Sequence, residues 1–367
     1  MRNKICLIYN FAQHYRSNIF ILMDNELTID FVFGNKFGDV KKMDYSLLKN
    51  VKEVTNATFI IKPLTYQRNV LQLFEKYSTF IMLGDLHCIS TWIMLFLGNF
   101  FNKKIYLWSH GWYGKEGKIK SIIKKIFFQM AEGIFLYGNH SKKLMIQNGF
   151  KEEKLHLIHN SLMYDIHLEL RNHLCETYIF KNYFKNLNKV ILFIGRLTAE
   201  KQLDMLLNVI AKLKINNKNF NLVLIGTGEK EFELKNLAVE NNILDTTWFY
   251  GECYDEKVLA ELIYNADLCV SPGNVGLTAV HALTFGTPVI THNNFSKQMP
   301  EFEAIEENVT GKFFIYNNLD SLSQSIEDWF SQDNNRNQIR KNCFKKIDEC
   351  WNPQYQINVF KKVLLKV

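Results

Sequence analysis

The sequence predicts an α/β protein built as two doubly wound halves of similar size facing a cleft. Three observations carry that reading. Short apolar runs alternate with amphipathic stretches, the pattern of parallel strands joined by crossover helices. The alternation lapses once, in the polar segment 160–188, and then resumes. A chain of 367 residues is long for one core and suits two domains. The expected division is a first domain over 1–165, to which 351–367 returns, a linker at 166–188, and a second domain over 189–350.

In chain order, the first half reads as strands at 4–9, 29–33, 58–61, 79–83, 104–108, 133–137 and 154–158. Helices are expected between them at 17–24, 70–77, 88–101, 118–131 and 141–148. The second half reads as strands at 190–194, 221–225, 247–250, 268–270, 288–291 and 312–315. Its helices fall at 200–214, 230–241, 256–265, 277–285, 319–331 and 338–350, with a terminal helix at 353–365. No internal repeat or low-complexity tract interrupts this order.

Composition excludes several classes. Hydrophobic content of 47% with 22% charged residues is that of a globular chain, not a disordered one. The longest apolar run, 89–101, is broken by Gly98 and Asn99 and is too short to span a bilayer. Residues 1–10 lack the apolar core and cleavage site of a secretion signal. Seven scattered cysteines without a C-x-x-C pair read as reduced thiols, so a cytoplasmic location is expected. A net charge of +7 fits anionic substrates or an anionic membrane surface and falls short of indicating nucleic acid.

The chemistry is concentrated in the second half. An apolar run at 190–194 stops at Gly195, and Thr198 is expected to open an amphipathic helix. Arg196 then sits in the turn and Lys201 in the first helical turn, where the helix dipole disfavours cations. Two cations there make sense if they share a strongly anionic ligand such as a diphosphate; an ordinary junction with solvated charges is the alternative. A second helix start follows at S-P-G-N-V-G-L-T, where Gly276 lets a ligand approach the backbone. The G-T-G at 226–228 would put a third loop on the same sheet edge, itself a weak signal.

These residues also carry a resemblance. F-I-G-R-L-T-A-E-K-Q-L-D-M-L-L, L-V-L-I-G-T-G-E, F-Y-G-E, A-D-L-C-V-S-P and G-L-T-A-V-H-A-L-T-F-G-T-P-V-I, in that order, resemble glycosyltransferase family 4. The likeness extends through E-A-I-E-E-N-V-T-G-K-F-F, takes in K-L-H-L-I-H-N-S before the linker, and covers the second half well and the first loosely. It implies a retaining, nucleotide-sugar-dependent enzyme of GT-B fold, with two Rossmann-like domains and a terminal helix, containing Trp351, that crosses back to the first. By that resemblance Arg196 and Lys201 grip the donor diphosphate beside Gly195 and stabilise the departing nucleoside diphosphate. Gly276, Leu277 and Thr278 then meet the same phosphates, Gly251 and Glu252 hold the base, and His110, in W-S-H-G, faces the donor sugar. Glu303 aligns with a family glutamate.

The chain departs from the family at two positions. Where most members carry two glutamates separated by seven residues, it has Gly273 and His281. His281 is read either as a ribose ligand or as a packed helix-face histidine, and Asn274 as a sugar contact; Glu301 adds a carboxylate to the same region. No metal site stands out: there is no D-x-D, and no His/Cys cluster has ligand spacing. A metal-independent transfer is therefore expected, with no cofactor beyond the nucleotide diphosphate sugar.

On the acceptor side, His14, Tyr15 and Arg16 follow the first strand and are candidates for sugar or phosphate contact, solvated loop residues being the alternative. The helix 118–128 carries Ile119, Ile122, Ile123 and Ile126 on one face. The favoured reading docks that stripe in the core with Lys118, Lys124 and Lys125 in water. The sharper one rests it, with Trp112 and Tyr113, on the anionic inner face of a membrane to meet a lipid-linked acceptor. The function expected is extension of a cell-surface polysaccharide. A catalytically silent subunit that binds a nucleotide or a partner enzyme, and a nucleotide-sugar epimerase, are the alternatives.

Overall fold

A computed structural model describes residues 5–35, 41–58, 63–332 and 335–366. It divides into two compact units, one of Met1–Met163 with Asn352–Val367, the other of Tyr164–Trp351. The elements of the first stretch are β1 (Ile5–Tyr9), α1 (Ser17–Glu26), β2 (Ile29–Gly34), β3 (Val51–Val54), β4 (Asn56–Thr58), β5 (Thr65–Gln67), β6 (Thr79–Leu83), α2 (Ile89–Phe100), β7 (Lys104–Ser109), α3 (Lys118–Gln129), β8 (Gly133–Leu136), α4 (Asn139–Gln147) and β9 (Leu155–Leu157). The second unit holds α5 (Tyr164–His173), α6 (Ile179–Phe184), β10 (Lys189–Ile194), α7 (Leu203–Ile215), β11 (Phe220–Ile225), α8 (Glu231–Glu240), β12 (Thr247–Gly251), α9 (Glu256–Asn265), β13 (Leu268–Ser271), α10 (Leu277–Thr284), β14 (Val289–His292), β15 (Gly311–Phe314), α11 (Leu319–Ser331) and α12 (Arg336–Cys350). The chain then returns to the first unit as α13 (Pro353–Leu365).

In the first unit seven parallel strands lie in the order β3-β2-β1-β6-β7-β8-β9. Their near-continuous apolar sequences are those of strands covered on both faces. One face carries the core of α2, α3 and α4. The other is filled by Phe20 and Met23 of α1 and by Ile357 and Phe360 of α13, around Trp108 and Phe135. Phe360 sits 4.4 Å from the Phe135 ring and 5.1 Å from that of Trp108, so α13 completes this core.

The second unit orders six parallel strands β12-β11-β10-β13-β14-β15. Strand order reverses between β10 and β13 here, and between β1 and β6 in the first unit. Loops leaving the carboxyl ends at such a switch point diverge and leave room for a ligand.

Several expectations change. Residues 70–77 do not form an α-helix: only a 3-10 turn at Leu71–Leu73 is regular. Val70, Leu73, Phe74 and Tyr77 are buried with helical spacing, but the segment is too short to overcome helix nucleation. Lys103 instead donates to the carbonyls of Phe74 and Tyr77. The segment expected to link the domains carries α5 and α6, which pack on α9 within the second unit. Of the strand expected at 58–61, residues 59–61 lie outside the described residues, as does Lys4 of the first strand.

The largest reversal is α3. Its isoleucines face outward, Ile119 at 77% exposure, Ile122 at 61%, Ile123 at 46% and Ile126 at 51%. Phe127, Phe128 and Lys124 take the inward face. Phe127 and Phe128 fit into the core on this sheet face, and Lys124 is buried because Glu116 pairs with it at 2.5 Å. Trp112 is buried too, against Phe150, which removes it from any membrane-facing role.

Candidate functional site

The loops at the β10–β13 switch point are locked together by backbone contacts that leave room only for glycine. Gly195 adopts φ +146° and Gly226 φ +136°, and a Cβ on Gly226 would stand 2.0 Å from the Gly195 carbonyl oxygen. Gly273 N–H donates to the Lys201 carbonyl at 3.0 Å. A Cβ at Gly273 would lie 1.9 Å from the Glu200 carbonyl oxygen. The loop before α10 is thus pressed onto the turn that carries Lys201.

Lys201 does not stand in a helical first turn. Ala199–Lys201 is a 3-10 turn, and Gln202 at φ +50° separates it from α7. A left-handed residue stops the turn from running into the helix. The Lys201 ammonium reaches across to Asn274, donating to its carbonyl at 2.6 Å and its side-chain oxygen at 2.7 Å. Burial pulls its pKa down to about 8; Glu301 opposes the shift and Arg196 adds to it. Arg196 is exposed, and no hydrogen bond or ion pair among the described residues engages its side chain.

Gly276, at φ +52° and ψ −148°, then turns the chain into α10. The Thr278 hydroxyl donates to the Ile194 carbonyl at 2.7 Å, tying the helix start to the end of β10. Val275 N–H donates to Gln298 at 2.9 Å. A free cation, a half-buried cation and a helix N-terminus therefore converge on one sheet edge, an arrangement suited to a diphosphate. Gly251, at φ +88°, gives its carbonyl to Gly226 N–H at 2.7 Å, and Glu252 accepts from the Tyr254 hydroxyl. Glu301 is buried and acts electrostatically on Lys201, and Glu303 acts on the Cys350 thiol.

His281 is engaged elsewhere. Its Nε2 lies 3.2 Å from Glu256 Oε2, and the Nε2 of His167 lies 2.9 Å from the same oxygen. The two imidazoles stack at 5.1 Å with 11° between planes. Their ligand atoms fall within 4.8 Å of one another, close enough among the described residues to hold a metal ion. The three come from α5, α9 and α10, so no local spacing in the sequence foretells the cluster.

In the first unit His110 follows β7, 4.7 Å from the Tyr137 ring. Burial first, then the charges of Arg16 and Lys124, bring its pKa down to about 4, so the imidazole is neutral. The loop behind it is held by Glu116, whose carboxylate accepts from the backbone of Tyr113 at 2.9 Å and Gly114 at 2.8 Å, as well as from Lys124. In sequence Lys124 looks like one more surface lysine, so nothing there marks the clamp. Among the acceptor-side candidates, the His14 ring lies 3.2 Å from the Lys41 carbonyl and 5.5 Å from the ring of Tyr15, while Arg16 is buried.

Comparison with known structures decides the architecture. HepE from Anabaena, solved in complex with UDP, superposes with a TM-score of 0.74 at 13% identity, over 99% of this chain and 100% of that one. The apo lipopolysaccharide outer core galactosyltransferase WaaB gives 0.71 at 16%, over 99% and 100%. The fold is GT-B. Residues 176–346 match the family model of group 1 glycosyl transferases. An uncharacterized 41.2 kDa protein from the cps region of Klebsiella pneumoniae is 24% identical over 79% of this chain and 78% of its own length. The O-antigen biosynthesis glycosyltransferase WbnH of Escherichia coli is 29% identical over 45% of this chain and 46% of its own. Homologues of this GT-B chain are thus glycosyltransferases, some of them in surface-polysaccharide biosynthesis.

Proposed function

We propose that the chain is a retaining, metal-independent glycosyltransferase that moves a sugar from a nucleotide diphosphate sugar to a glycan acceptor of a cell-surface polysaccharide. The observation that carries this reading is the meeting of Arg196, Lys201 and the α10 N-terminus at the β10–β13 switch point. Negative charge grows on the departing nucleoside diphosphate as the glycosidic bond breaks. Fixed donors aimed at that charge are worth about 3–4 kcal/mol each, which supplies neutralisation without a metal. UDP is the first nucleotide to test, since HepE was solved with it.

The acceptor is proposed to be lipid-linked and met at a membrane surface. The exposed isoleucines of α3 stand among Lys118, Lys120 and Lys125, a pairing suited to an anionic leaflet. Among the described residues no helix is long and apolar enough to cross a membrane.

A thermal-shift panel of UDP, GDP, ADP and CMP against wild type and Arg196→Ala tests the donor site. Stabilisation by one nucleoside diphosphate, lost in the variant, is expected. No shift with any nucleotide would favour a silent subunit instead. One observation supports that second reading: Gly273 is packed where no carboxylate fits, and His281 is turned to Glu256.

A further inference from the structure

The first unit contains a buried cation that no acidic group among the described residues balances. Arg16 is 7% exposed. Its Nη1 donates to the hydroxyls of Tyr9 at 3.2 Å and Tyr137 at 2.5 Å. The guanidinium lies 5.1 Å from the ring centre of Tyr137, 5.4 Å from that of Trp108 and 5.7 Å from that of Tyr9. Its Nε is buried without a hydrogen-bond partner, and among the described residues no carboxylate pairs with it. Aromatic faces and phenol oxygens attract a guanidinium, but a desolvated charge is fully compensated only by an opposite one.

Its position sharpens the imbalance. Arg16 is the residue that caps α1, and the first turn of that helix carries no acidic side chain. The positive end of the helix and the guanidinium repel each other unless an anion lies between them. The loop follows β1, at the sheet's switch point, where α/β proteins take ligands. His110, across the Tyr137 ring, contributes a buried Nδ1 without a partner. As a neutral imidazole it can donate one hydrogen bond without adding charge. Asn10 Oδ1 and Gln13 Oε1, from the same loop, are likewise buried without partners. Such oxygens complement hydroxyl donors.

We propose that Arg16 and His110 form an oxyanion-binding site, and that the acceptor is an anionic glycan carrying a phosphate or a carboxylate. This rests on the transferase reading for the word acceptor; the anion site itself does not depend on it.

Isothermal titration of the full chain in an Arg196→Ala background, which disables the diphosphate grip of the second unit, tests the site. The probes are glucose 1-phosphate, glucuronate and methyl glucoside. At least one anion should bind ten times or more tightly than the neutral glucoside, and the better of the two names the acceptor's charged group. Arg16→Gln should abolish that preference. Should Arg16→Gln fail to fold by circular dichroism, Tyr137→Phe decides: it keeps the ring and removes the hydroxyl that orients the guanidinium, and should weaken anion binding at least fivefold. Equal affinity for all three probes, or anion binding unchanged in the variant that folds, overturns the proposal. UDP binding by wild type, read separately, tests the transferase reading, so either can fail alone.

Discussion

The Lys201 ammonium holds both oxygens of Asn274, at 2.6 and 2.7 Å, and thereby fixes the loop that leads into α10. Lys201 is thus a structural tie as well as a cation at the β10–β13 switch point, whereas Arg196 is exposed. The two should separate experimentally. Arg196→Ala should lower kcat by about 10²–10³-fold, as for loss of one oxyanion donor, with stability within about 0.5 kcal/mol of wild type. Lys201→Ala should lose activity and also about 1–3 kcal/mol of stability, through the two charge-assisted hydrogen bonds to the half-buried Asn274 that it removes. Chemical denaturation beside a sugar-transfer assay distinguishes them; equal stability of the two variants would refute the tie.

Placing at Gly273 the glutamate that glycosyltransferase family 4 carries at the matching position should fail. A Cβ there meets the Glu200 carbonyl oxygen at 1.9 Å, backbone against backbone. Gly273→Glu and Gly273→Ala should both lower the melting temperature by several degrees, and by similar amounts, because the clash begins at Cβ. An alanine variant as stable as wild type would show that the loop relaxes freely.

Acid should loosen the second unit through His167, Glu256 and His281. Burial raises the Glu256 carboxyl, but hydrogen bonds from the two histidines outweigh it and hold its pKa below the usual 4.5. Burial lowers His167 from the usual 6.5 despite Glu256. Both folded values lie below their unfolded ones, so the unfolded chain binds more protons in acid. Their contribution is present above pH 6.5 and is lost first by His167, then by Glu256 below pH 4.5. Melting temperature against pH should fall more steeply for wild type than for His167→Gln below pH 6.5; parallel curves would count against the cluster.

The outward isoleucines of α3 predict that the protein floats with vesicles containing anionic lipid at low salt, and less so at high salt. Ile122→Glu/Ile126→Glu should abolish flotation without loss of stability, since both side chains are already exposed. Absence of flotation at low salt would remove the membrane reading.

The sheets were legible because parallel strands and their crossover helices write a strong periodic pattern, and helices such as α9, α11 and α13 fall where that pattern places them. Arg196, Lys201 and Gly276 were legible because glycines and cations at strand ends have few other uses. What was hidden depends on tertiary partners. The isoleucine stripe of α3 has the spacing of a core face, and only the tertiary packing of Phe127, Phe128 and the Lys124–Glu116 pair reveals which face turns inward. Lys201 reads as helical in sequence because nothing in A-E-K-Q-L announces the left-handed Gln202. The His167–Glu256–His281 cluster joins residues 89 and 25 positions apart.

The return of α13 to the first unit has a consequence for biosynthesis. Ile357 and Phe360 lie in the core beside Trp108 and Phe135, yet they leave the ribosome only after all of residues 164–351. The second unit can complete its core during translation, while the first must wait with one sheet face covered only in part, by α1. Nascent chains arrested before Asn352 should therefore protect the second unit from protease and leave the first open to it, exposing the Trp108 side of the sheet to chaperones until α13 arrives.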